Sequence, residues 1–114
     1  MKLKKGDNVI IRAGKDRRRE GKILRVFPAR TSRTSFGSGG PRGNKVVVEG
    51  INLLKRRIRP KKAGEKGQVV TVAYPLAAAK VMIKCVRCGR GVRVGYRLEG
   101  LKKLRICRKC GASI

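Results

Sequence analysis

KGDNVIIRAGKDRRREGKILRV, residues 5–26, is the stretch from which the architecture can be read. Two short β-branched runs, Val9-Ile10-Ile11 and Ile23-Leu24 with Val26, flank a turn that carries Lys15, Asp16, Arg17, Arg18, Arg19 and Glu20. Runs of that length on either side of a glycine-bounded turn predict a pair of antiparallel strands. Gly14 and Gly21 bracket the turn, and each offers a positive φ without a Cβ clash. The expected product is a basic finger held out on a small sheet. Basic loops are common on ordinary surfaces, so a solvated loop is the plain alternative.

Composition narrows the partner. The chain has 114 residues, with 32 Lys and Arg against 6 Asp and Glu and a formal charge of +26. Such a charge repels itself in the compact state and calls for a polyanion. RNA or DNA phosphate fits best, and an anionic membrane surface fits less well. No apolar run reaches transmembrane length, and no signal-peptide core follows the basic start, so an intracellular chain without a membrane role is expected. The only aromatic residues are Phe27, Phe36, Tyr74 and Tyr96, so phosphate contact should outweigh base stacking. There is no histidine, the six acids are scattered, and no glycine-rich phosphate fingerprint appears. An enzyme with a small-molecule substrate is therefore not expected.

Further along, residues 29–43 (ARTSRTSFGSGGPRG) lack periodicity and apolar content. They read as a long flexible basic loop, with Arg30, Arg33 and Arg42 available to order on RNA. Val46-Val47-Val48 restarts the sheet, and Glu49-Gly50 permits a bend before Ile51. A dense run of Lys55, Arg56, Arg57 and Arg59 closes at Pro60. Short strands with glycine punctuation suggest a small twisted barrel. Beyond a polar connector, Val69, Val70 and Val72, then Val81, Met82 and Ile83, read as two buried strands around a turn at Pro75. Ala77-Ala78-Ala79 is too short to nucleate a helix alone.

The chain's four cysteines form two Cys-x2-Cys pairs, Cys85 with Cys88 and Cys107 with Cys110, and eighteen residues lie between Cys88 and Cys107. That spacing suits a four-cysteine structural zinc site, and a glycine follows each pair, as a tight knuckle requires. Arg87, Arg90, Arg108 and Lys109 stand where they offset the negative charge of a metal tetrathiolate. Two disulfides are disfavoured in an intracellular chain, and no βαβ pattern supports a redox dithiol. Between the knuckles, Val92, Val94, Tyr96 and Leu98 alternate with Arg93 and Arg97, as in a half-buried strand. Glu99-Gly100 turns the chain, and Leu104 and Ile106 return it: a hairpin joining two knuckles, or zinc ribbon.

Several of these stretches also resemble known families. Gly6, Asp7, Val9, Gly14, Lys15, Asp16, Gly21 and Lys22 look like a KOW motif, the RNA-binding element of several ribosomal and transcription proteins. The motif commonly has a second glycine where this chain has Arg18. Val-Glu-Gly-Ile-Asn-Leu at 48–53 with its basic run and Pro60, residues 67–85, and Arg-Val-Gly-Tyr-Arg at 93–97 with the turn at 100–103 resemble the bacterial-type large-subunit ribosomal protein L-twenty-four family. The likeness covers nearly the whole chain except residues 29–43. It departs at Arg57, where the family often has histidine, and at 77–80, where the family usually has a polar His-x-Ser-Asn. Some bacterial members carry the cysteines and many do not.

The resemblance implies an SH3-like KOW barrel at 1–66, followed at 67–114 by a C-terminal β extension with the zinc ribbon. It implies rRNA contacts through Lys4, Lys5, Lys15, Arg17, Arg18, Arg19, Lys22, Asn52, Lys55, Arg56, Arg57 and Arg59. It further implies an early assembly role, a place near the nascent-chain exit of a cytoplasmic large subunit, and neighbouring ribosomal proteins as partners rather than a second copy. A KOW-type transcription or translation factor and a zinc-ribbon module that docks on protein are the alternatives.

Overall fold

The computed structural model describes residues 2–29 and 43–114. The predicted flexible insertion, with Arg30, Arg33 and Arg42, lies outside the described residues except at its two ends. The described strands, in chain order, are β1 (Asn8–Ile11), β2 (Glu20–Phe27), β3 (Lys45–Val48), β4 (Leu53–Ile58), β5 (Gln68–Ala73), β6 (Leu76–Ala77), β7 (Val81–Lys84), β8 (Gly91–Val92), β9 (Val94–Glu99) and β10 (Lys102–Cys107). A single 3-10 turn, Ala78–Lys80, joins β6 to β7. The fold is all-β, as the short β-branched runs predict. Among the described residues no helix is long and apolar enough to cross a membrane.

Strand order in the main sheet is β6-β3-β2-β1-β7-β8. Because β6, the 3-10 turn and β7 are consecutive, one run of chain pairs with β3 at its start and with β1 at its end. The sheet must therefore curl round and close. Two backbone bonds seal the seam: Ala78 N–H donates to the Asn44 carbonyl at 2.9 Å, and Arg12 N–H to the Lys80 carbonyl at 2.7 Å. A bulge between Ile23 and Arg25 on β2 supplies the bend. The expected small barrel is present.

Period-two alternation fills it. Val9 and Ile11, Val46 and Val48, and Val81 and Ile83 all point inward and are buried, with Ile23, Ile51 and Val94 completing the core. Each such side chain contributes about 1.5–3 kcal/mol when fully buried. Three core residues, Val81, Ile83 and Val94, come from the 67–114 stretch, and the sheet takes β6, β7 and β8 from there. The two stretches named from the sequence thus share one core.

Several local expectations change. Gly14 takes a positive φ of 107°, but Gly21 does not need one. Gly21 is required by close approach: a Cβ there would lie 2.6 Å from Val48 Cγ1 and 2.8 Å from the Glu49 carbonyl oxygen. The β5 valines are not buried. Among the described residues β5 pairs only with β4, in an exposed two-stranded ribbon, because β7 takes the barrel position beside β1. The strand expected from Val92 to Leu98 breaks at Arg93 into β8 and β9. Val92 and Val94 are buried, whereas Leu98 is 74% exposed on the projecting β9–β10 hairpin.

That hairpin is clamped to the barrel. Arg105 on β10 makes two bonds to the Asp7 carboxylate, at 2.6 and 2.9 Å. Both side chains are largely buried, and the carboxylate raises the Arg105 pKa further. Lys2 adds a bond from Nζ to the Val94 carbonyl at 2.9 Å.

Candidate metal centre and basic face

β7 ends at the first knuckle and β10 at the second. In each, the glycine after the second cysteine donates its N–H back to the carbonyl of the first: Gly89 to Cys85 and Gly111 to Cys107, both at 2.9 Å. Both glycines hold a positive φ, 65° and 71°, as the knuckle reading requires. A second bond closes each loop, from Cys85 N–H to the Arg90 carbonyl and from Cys107 N–H to the Ala112 carbonyl. The two loops are therefore built alike and face each other.

Their sulfurs converge. All four Sγ atoms lie within 4.8 Å of one another. Cys85 and Cys110 are 3.6 Å apart, and Cys88 and Cys107 are 4.0 Å apart. A tetrahedron with metal–sulfur bonds of about 2.3 Å has edges near 3.8 Å. The thiols thus fit a tetrathiolate ion, and all four are free cysteines, not disulfides. Cys85 and Cys107 are buried and pack with Val92, Cys88 and Ile114. Crowded sulfurs compete for protons. The hydrogen bond with Cys110, then burial, pushes the Cys88 thiol up to about 12, while hydrogen bonds from Cys110 hold Cys107 below its ordinary value. A divalent cation removes that competition by replacing the shared protons. No position remains open for water or substrate, so such an ion is structural.

The second feature is cationic. Lys15, Arg17, Arg18 and Arg19 sit on the β1–β2 turn, while Lys55, Arg56 and Arg57 sit on β4, followed by Arg59. These groups are far apart in sequence, and the finger meets the start of β4, the strand that bears the second group. Asn52 N–H donates to the Asp16 carboxylate at 2.8 Å, and Lys15 Nζ lies 3.5 Å from the Leu53 carbonyl. Arg19 also donates to Asp16, at 2.8 Å. The Asn52 bond first, and Arg19 after it, hold the Asp16 pKa below its usual value. The finger and the base of the ribbon are thereby joined. Arg18 adopts φ 69°, the left-handed conformation that a glycine would take there, and its N–H bonds to the Ile11 carbonyl at 2.8 Å.

Among the residues expected to meet RNA, Asn52 has a different position from the rest. Its φ is 51°, and its side-chain amide donates toward the Tyr74 and Pro75 carbonyls at 3.2 and 3.4 Å. It is a junction between the finger, the ribbon and the chain leading to β6. Lys4, Lys5 and Lys22 are exposed at the end of the β1–β2 pair away from the turn. Nothing in the local sequence around Arg105 marks it as a partner of Asp7. A usable signal existed: in a chain with 32 cations, each of the 6 acids has reason to be paired, and Asp7, Asp16 and Glu20 all are.

Comparison with known proteins agrees with this architecture. Residues 51–114 match the family model described as large ribosomal subunit protein uL24, C-terminal domain. Among relatives, the large ribosomal subunit protein uL24 of Carboxydothermus hydrogenoformans is 40% identical, covering 100% of this chain and 95% of the relative. That of Thermotoga maritima is 41% identical, covering 100% of this chain and 97% of the relative. The protein of the same name from Syntrophomonas wolfei is 35% identical over 100% of this chain and 99% of its own length. The chain belongs to the uL24 family of large ribosomal subunit proteins.

Proposed function

We propose that the chain is a structural, non-enzymatic constituent of the large ribosomal subunit that binds large-subunit rRNA through its basic face and carries one structural zinc ion. The observation that carries the RNA part is the junction at Asp16 and Asn52, which ties the basic turn to the start of the strand that bears the second basic run. Lys15, Arg17, Arg18 and Arg19 with Lys55, Arg56, Arg57 and Arg59 then neutralise phosphates of a folded RNA, and Lys4, Lys5 and Lys22 extend the contact. Strand-held loops lose little entropy on binding, so they read backbone shape efficiently. Asn52 contributes by holding the junction.

Cys85, Cys88, Cys107 and Cys110 hold the zinc, which supplies structural cross-linking and no reaction. The neighbouring ribosomal proteins are the remaining partners, the location is the cytoplasmic ribosome, and the family resemblance supports an early assembly role near the nascent-chain exit. The test is co-sedimentation with large subunits through a high-salt wash. Retention is expected of a core constituent. Release into the wash would favour the KOW-factor reading instead.

A further inference from the structure

We infer that the open edge of β5 accepts an extended segment of another polypeptide as a third strand, one whose residues alternate apolar with acidic. β5, QVVTVA, is six residues long and, among the described residues, pairs with β4 alone. Its outer N–H and C=O groups therefore face away from the ribbon. Long open edges are normally blunted with charge or proline, because each is a template for another strand. The other long strands follow that rule: β4 carries Lys55, Arg56 and Arg57, β9 carries Arg97 and Glu99, and β10 carries Lys102, Lys103 and Arg105. β5 has neither a charge nor a proline.

The register says what kind of strand fits. Leu54, Arg56 and Ile58 share one face with Val72, Val70 and Gln68. That face is largely apolar yet open to solvent, with Leu54 44%, Ile58 46% and Val72 39% exposed. The opposite face carries Lys55 and Arg57 beside Thr71 and Val69. A strand added outside β5 lies about 10 Å from β4, two strand spacings away. Extended Lys and Arg side chains meet carboxylates across that distance. Apolar residues on the incoming strand then cover Val70 and Val72, and acidic ones on its other face meet Lys55 and Arg57. Backbone pairing fixes the form of the partner, and side chains fix its sequence class. A second copy is disfavoured, since it brings its own +26 charge. RNA meets the cations but cannot extend a peptide ladder. Lys55 and Arg57 on β4 also belong to the proposed rRNA face, so phosphate and the partner's carboxylates compete for these two cations, whereas the backbone ladder on β5 is open to a peptide alone.

The test uses the full metal-loaded chain and a short capped peptide that alternates valine with glutamate, at physiological salt. The control is the same peptide N-methylated at alternate residues, which keeps its charge but cannot complete the ladder. Amide hydrogen exchange at the outward-facing N–H groups of Val69, Thr71 and Ala73 should slow roughly fivefold or more with the first peptide, the protection expected of an ordinary backbone hydrogen bond. It should not slow with the second. Equal protection from both peptides, or none from either, overturns the inference. So does equal protection by a short RNA duplex, or prior protection of β5 in a peptide-free dimer.

Discussion

Asn52 donates its backbone N–H to the carboxylate of Asp16 across 2.8 Å, which ties the tip of the β1–β2 finger to the start of β4. Asp16→Ala removes the tie and also raises the net positive charge by one. If charge alone governed RNA binding, affinity would rise. If the geometry of the joined basic face matters, affinity for an rRNA fragment falls, by about three- to tenfold. A filter-binding comparison at fixed salt decides between them.

The same bond titrates. The folded-state pKa of Asp16 is depressed below 3.8 by the Asn52 N–H and then by Arg19. The tie is therefore fully present above the unfolded value and is lost as pH falls through the lower folded one. The Asn52 amide resonance should be flat from neutrality down to about pH 4 and shift only below that. A midpoint above 4 would contradict the arrangement.

Arg18 holds φ 69° without being glycine. Left-handed backbone costs a side-chain-bearing residue about 1–2 kcal/mol, and glycine's extra freedom in the unfolded chain returns about 0.5–1 kcal/mol of that. Arg18→Gly should therefore stabilise the fold by about 0.5–1 kcal/mol in chemical denaturation. It should also weaken RNA binding and flatten the salt slope by about 0.7–0.9, the contribution of one phosphate contact. Stability and binding moving together would refute the assignment.

A Cβ on Gly21 meets Val48 Cγ1 and the Glu49 carbonyl, both under 3 Å. Gly21→Ala must push β3 away from β2 and should cost about 1–3 kcal/mol, the range for overpacking. Thermal unfolding reports it, and an unchanged midpoint would mean that the strands are not this close.

Arg105→Met strands the Asp7 carboxylate, which is 9% exposed, without its fork partner. The loss should be about 3 kcal/mol. Adding Asp7→Asn should recover part of it, and the double-mutant cycle should show a coupling of about 1–3 kcal/mol. Strict additivity would place the clamp in the category of exposed ion pairs.

Zinc removal should act locally. Chelation, or Cys107→Ser, frees the knuckles and β8 and loosens the β9–β10 hairpin, which has little core of its own. Metal binding supplies on the order of 10 kcal/mol to folding of such sites. The barrel should keep its amide protection, including β7, because β7 is paired with β1 and buries Val81 and Ile83. Metal analysis should give one zinc per chain. Protein purified under reducing conditions with no bound metal and a protected hairpin would give the cysteines another role.

Features that depend only on neighbours along the chain are legible in its residues. The turn at 14–19, the β-branched alternation of β1, β3 and β7, the charge, and the paired cysteines with their glycines are local patterns, and each is present in the fold. The rest comes from contacts between distant segments. β5 and β7 are both valine- or isoleucine-rich, and nothing in their residues says that β7 closes the barrel while β5 projects into solvent. That choice follows from which strand reaches the open edge of β1, a contact between distant segments. Gly21 reads as a turn glycine until β3 lies against it. Asp7 with Arg105 and Asp16 with Asn52 join residues with no local signal for pairing, because a folded chain brings together groups whose separation in sequence says nothing about their separation in space.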